Sequence, residues 1–161
     1  MSANLIVTDG HPTLRHEERA ALGTILQGEL VDLIDLALLG KHLHWNLTGP
    51  GFQALHEHLD TLVADWQERA DETAERGRAV GVVPDGQVRT VAENSRLPEV
   101  AADEIRTDAV VATLLHALDD TITRARARME QAAEYDAVTE DLMIQTVALL
   151  EKQRWMVSAH R

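Results

Sequence analysis

His56 and Asp60 stand four residues apart, and so do Asp71 and Glu75. On a helix each pair stacks one residue above the other, so each can grip a single cation. At 100° per residue with His56 at zero, His56, Asp60, Asp71 and Glu75 share an arc of about 0° to 100° with Ala64 and Gln67. The pairs are separated by 15 residues, roughly 22 Å along a helix, and cannot meet within one chain. Their spacing nonetheless has a symmetry. Residues 56 and 75 share the midpoint 65.5 with residues 60 and 71. A two-fold axis crossing the helix at Asp65/Trp66 would lay a mate's helix antiparallel, with His56 opposite the mate's Glu75 and Asp60 opposite the mate's Asp71. That self-complementarity defines an isologous dimer. Small Ala64 and polar Gln67 would let the backbones approach. The spacing predicts two identical metal sites, each shared between subunits. Oxygen and imidazole ligands without sulfur suit iron, manganese or zinc better than copper(I) or a cluster. One i,i+4 acidic pair is ordinary on any solvated helix face. Two pairs with a common midpoint on one arc, one containing His, are not.

The elements that must hold these residues are helices. The chain has 161 residues, enough for one domain, and no cysteine, which excludes disulfides, thiolate metal sites and a cysteine nucleophile. Only five residues are aromatic, so the core is aliphatic and alanine-rich, a mix that favours helix over strand. All nine glycines lie at or before Gly86, and from residue 99 onward there is neither Gly nor Pro. Four long helices are expected, over about 15–44, 53–80, 107–134 and 138–159. Thr13 is the expected N-cap of the first, and Gly81 the C-terminal stop of the second. Tyr135-Asp136 breaks the last two apart. Residues 82–106, with two prolines, form a long crossover carrying a short helix around 98–102. The reading is an all-α, ferritin-like four-helix bundle with one long crossover between helices two and three, residues 1–14 being a tail and 15–161 the domain. On the second helix Leu55, Leu59, Leu62, Val63, Trp66, Ala70 and Gly77 form the core stripe, and Glu57, His58, Asp65, Glu68 and Glu72 lie on the solvent face.

The formal charge is −12, which disfavours nucleic-acid phosphate and anionic membrane as partners and favours cations. No apolar run is long enough for a membrane span, and the N-terminus lacks the pattern of a secretory signal, so a cytoplasmic location is expected.

The stretch HLHWNLTGPGFQALHEHLDTLVADWQERADETAERGRAVG, beginning at His42, resembles the Dps family, the miniferritins. The resemblance extends to VDLIDLALLGKHLHWNL before it, VPDG in the crossover and EKQRWMV in the last helix. The family motif is His-Trp at the end of the first helix, then His, Asp, Asp and Glu, the last two within D-E-x-A-E-R. These are His44-Trp45, His56, Asp60, Asp71 and Glu75 here. The resemblance implies an inter-subunit ferroxidase centre, with His44, His56 and Asp60 from one chain and Asp71 and Glu75 from its mate. It implies a hollow homododecamer that oxidises iron(II), preferably with hydrogen peroxide, and stores ferric mineral. Trp45 is then an alternative electron donor, or else a packed aromatic. Acidic pores at the three-fold axis of the family make Asp136, Glu140 and Asp141 candidates, against the plainer role of acids at a helix N-terminus. Lys41 and His42 are expected on the solvated end of their helix. His116 is expected to be partly buried and hydrogen-bonded, and His11, His16, His58 and His160 to hold no ligand.

A nucleoid protein that compacts DNA is the second reading that the family suggests. It usually depends on tails rich in Lys and Arg. Here no Lys or Arg precedes Arg15, and only Arg161 follows the fourth helix. Direct DNA binding is therefore not expected. A bundle with no metal chemistry leaves the full ligand set unexplained.

Overall fold

The computed structural model describes residues 5–8 and 11–160. Arg161 and the remaining residues of the expected tail lie outside the described residues. Among the described residues there are four long helices and one short one: α1 His16–Asn46, α2 Phe52–Ala79, α3 Val88–Asn94, α4 Thr107–Ala133 and α5 Ala137–Ser158. Two-residue strands β1 (Leu47–Thr48) and β2 (Ile105–Arg106) pair in parallel, Leu47 with Ile105 and Thr48 with Arg106. Among the described residues no helix is long and apolar enough to cross a membrane.

The all-α, ferritin-like bundle is as expected, and three local features differ. Arg15, not Thr13, is the N-cap of α1. Its amide donates to Glu18 Oε2 at 2.8 Å, and Glu18 also takes the Arg15 guanidinium. Thr13 instead lies in a turn organised by His11, whose Nδ1 accepts from the Leu14 amide at 3.1 Å. The short crossover helix is α3, about ten residues before the expected place. Asp85 organises its start, accepting from the Gln87 amide and the Thr90 hydroxyl. These bonds hold the Asp85 carboxyl below the usual carboxylate range. His116, third, is exposed, with Nε2 3.3 Å from Asp120 one turn on.

Helix α2 ends as its glycine foretold. Gly81 has φ 84°, its amide donates to Arg78 O and the Val82 amide donates to Gly77 O, a Schellman motif. Residues 5–8 lie beside this turn. Val7 bridges to Val82, and Leu5 packs on a small cluster of Leu22, Leu26, Val80 and Val82. From here the crossover runs the length of the bundle and returns at β2, beside the turn that joins α1 to α2.

The core stripe of α2 is buried, and Trp66 at its centre is fully enclosed. The indole N–H donates to Gln153 Oε1 at 2.8 Å, and Gln153 donates onward to Asp65. A buried polar group therefore has a partner. Gly40 lets α1 come close: a Cβ there would lie 2.7 Å from Val63 Cγ2 and 2.8 Å from Trp66 Cζ3. This approach sets the α1–α2 register on which the site depends.

Candidate metal centre

Two helices meet where α1 ends and α2 begins. His44 is buried and its ring stacks on that of His56, with centroids 3.7 Å apart. Phe52 stacks on the other side of His56 at 5.0 Å. The two histidines are tied reciprocally: His44 Nδ1 lies 3.1 Å from His56 O, and His56 Nδ1 lies 3.1 Å from His44 O. With each Nδ1–H donating to the other's carbonyl, both Nε2 lone pairs are left free for a cation. Asp60, one turn below His56, completes a group. One ligand atom each from His44, His56 and Asp60 lies within 4.8 Å of the others, and among the described residues no other group of three His, Asp or Glu does so.

Lys41, near the solvated end of α1, reaches this group. Its ammonium is 2.6 Å from Asp60 Oδ1. The hydrogen bond from Lys41, with His44 and His56 adding to it, holds the Asp60 carboxyl below the usual range, so it is ionised and ready as a ligand. The ammonium must give way to any metal that takes the same oxygen. Replacing it should strengthen binding, by about two- to fivefold for an exposed pair of this kind. Lys41→Met is thus expected to tighten binding of redox-inert Zn2+ by that factor in calorimetry. Unchanged or weaker binding would show that Lys41 does not compete.

Asp71 and Glu75 are exposed and stand on the same unbroken helix, on the arc shared with His56 and Asp60. Within the chain they do not join the three-residue group. Ala64 and Gln67 between them are exposed too. Beside this arc is an open depression of about 490 Å3, lined by Leu38, Lys41, Trp45, Gln67, Asp71 and Ala74 among others. Trp45 is 71% exposed and Leu38 53%. Trp45 is therefore no core residue of the single chain.

The acids at the α4–α5 junction divide. Asp136 is the N-cap of α5, accepting from the Thr139 amide and hydroxyl and pairing with Arg76 at 2.5 Å. Burial works to raise its carboxyl, but the Thr139 and Arg76 bonds prevail and its pKa lies below the ordinary value. Asp136 thus caps the start of α5. Exposed Asp141 accepts from Gln145, and Glu140 lies in the first turn of α5.

His58 and His160, expected to be plain surface residues, touch each other: His58 Nδ1 is 3.0 Å from His160 Nε2. Burial first, then the neighbouring His160, lowers the His58 pKa. Sequence spacing gave no signal of this contact across 102 residues.

Four helices around an aliphatic core, a crossover between the second and third, and a carboxylate–imidazole group between the first two define a ferritin-like protein. The sequence matches the Ferritin family, described as "Ferritin-like domain", over residues 23–161. It is 32% identical over 149 residues to the "DNA protection during starvation protein" of Mycolicibacterium smegmatis, covering 92% of this chain and 81% of that one. It is 34% identical over 135 residues to the "Fine tangled pili major subunit" of Haemophilus ducreyi, covering 84% and 71%. The solved structure of DpsA14 from Streptomyces coelicolor superposes with a TM-score of 0.92 at 32% identity, covering 98% of this chain and 94% of that one. The chain belongs to the Dps family of ferritin-like proteins.

Proposed function

We propose that the chain is a ferroxidase that stores iron, acting at centres shared between two copies. The grouping of His44, His56 and Asp60 on one chain, with Asp71 and Glu75 held apart on the same arc, carries this reading. A mate related by a two-fold axis at Asp65/Trp66 would bring its Glu75 towards His56 and its Asp71 towards Asp60. The exposed Leu38 and Trp45 and the depression beside them are the kind of apolar surface that such a mate covers.

Iron(II) is the substrate. The carboxylates of Asp60, Asp71 and Glu75 are hard oxygen ligands that favour the ferric product over the ferrous reactant. The imidazoles of His44 and His56, fixed by their reciprocal carbonyl bonds, hold the ion and leave positions open. With hydrogen peroxide as oxidant, two Fe2+ each give up one electron and the peroxide is reduced to two hydroxides. Both reagents that generate hydroxyl radical are then consumed together. Trp45, beside Lys41 at the edge of the site, is the reserve electron donor. Dimers assemble into a hollow dodecamer of charge twelve times −12, or −144, whose field draws in cations.

The test is anaerobic loading with Fe2+ followed by peroxide, with ferric absorbance and peroxide consumption read together. Rapid oxidation at about two iron per peroxide is expected. A rate no faster than iron in buffer would overturn the reading. The same negative charge argues against DNA as a partner. No gel shift is expected at physiological salt without Mg2+, whereas a tight shift lost steeply with rising salt would contradict this.

A further inference from the structure

A second pair of imidazoles lies outside the ferroxidase arc. His58 is about 200° round α2 from His56, on its other side. His160 follows the last turn of α5, and the two meet with Nδ1 and Nε2 3.0 Å apart and ring centroids at 5.2 Å. Metal–imidazole bonds are about 2.0–2.1 Å long, so two nitrogens at this separation subtend about 91–97° at a shared ion. That is the angle between adjacent ligands in a tetragonal or octahedral sphere, and it is tighter than a tetrahedral one. Two neutral imidazoles with open positions for water suit the late divalent transition metals, copper(II) and nickel(II) ahead of zinc. We infer that His58 and His160 form a two-imidazole site for a late divalent transition-metal ion, separate from the ferroxidase centre.

The site clips the end of α5 to the outer face of α2. Without metal the same contact is an imidazole–imidazole hydrogen bond. The overall charge of −12 raises the local concentration of cations. Neither ring takes part in the iron site: the pair would bind whether or not Asp60 is present.

The test titrates Cu2+ alone into metal-free, full-length protein as it assembles, comparing wild type with His58→Gln, His160→Gln and Asp60→Ala. Calorimetry gives the stoichiometry, and the paramagnetic resonance spectrum reports nitrogen ligation. One copper per chain should be lost, or weakened at least tenfold, in each histidine variant. Its two-nitrogen splitting should disappear with it, while Asp60→Ala keeps it. His160→Gln alters only the turn after α5 and should leave iron oxidation intact, so a failure of the ferroxidase reading would appear in the iron assay and not here. Copper binding unchanged in either histidine variant would overturn the inference, because both rings are required. So would loss of the same copper in Asp60→Ala.

Discussion

Asp60→Ala and Glu75→Ala are each expected to slow peroxide-driven iron oxidation by about a hundredfold or more. Changes in the outer shell of a metal site alone cost up to about that factor, and these remove a ligand. Asp60 is one of three ligand-bearing side chains gathered on this chain, and the only anionic one. Glu75 is exposed and touches nothing in the three-residue group, so a single-chain account of the site assigns it no part. An equal loss in Glu75→Ala is therefore the informative half. Both residues lie off the core stripe, so helix content should be kept. Stopped-flow ferric absorbance measures the loss, and Glu75→Ala at the wild-type rate would remove that residue from the centre.

Arg128→Met is expected to cost about 3–5 kcal/mol of stability, the usual penalty for breaking a buried ion pair from one side. Glu29 and Asp32 on α1 are almost fully enclosed, and α4 supplies their counter-charges. Arg128 Nη1 donates to Glu29 Oε2 at 2.8 Å and Asp32 Oδ2 at 2.6 Å, while Arg124 makes a two-point pair with Asp32. Burial pushes the Glu29 carboxyl up against the opposing pull of Arg128, and its second oxygen has no hydrogen-bond partner. Loss of Arg128 leaves Glu29 with no cation on its carboxylate. At about 2–4 °C per kcal/mol for a chain of this size, the melting temperature should fall by about 6–20 °C, read at fixed protein concentration because assembly shifts it too. Adding Glu29→Leu should recover part of the loss. A single variant melting within about 2 °C of wild type would show that the pair contributes little.

What the sequence made legible was what helix geometry alone determines. The arc shared by His56, Asp60, Asp71 and Glu75, the core stripe through Trp66 and the stop at Gly81 all follow from residue spacing on one helix. The position of α3 did not, because seven residues carry little propensity of their own and the side chain of Asp85 decides where the helix starts. Arg15 took the N-cap from Thr13 because Glu18 could reach back to its amide while His11 engaged the turn before it. Lys41 lies 19 residues from Asp60, and their contact depends on the α1–α2 register set at Gly40 and Trp66. The meeting of His58 with His160 depends likewise on how α5 packs beside α2. Contacts between helices required the fold.

Mixing the two inactive variants tests the shared centre most directly. If each site takes Asp60 from one chain and Glu75 from its mate, a dimer of either variant alone has two broken sites. A mixed dimer of Asp60→Ala with Glu75→Ala gathers both lesions into one site and leaves the other whole. After dissociation and reassembly, random pairing makes about half the dimers mixed, each with one of two sites intact, so activity should return to about a quarter of wild type. If all ligands came from a single chain, every site would still lack one residue. Verified subunit exchange with no activity regained would contradict the two-fold centre and the symmetry read at Asp65/Trp66.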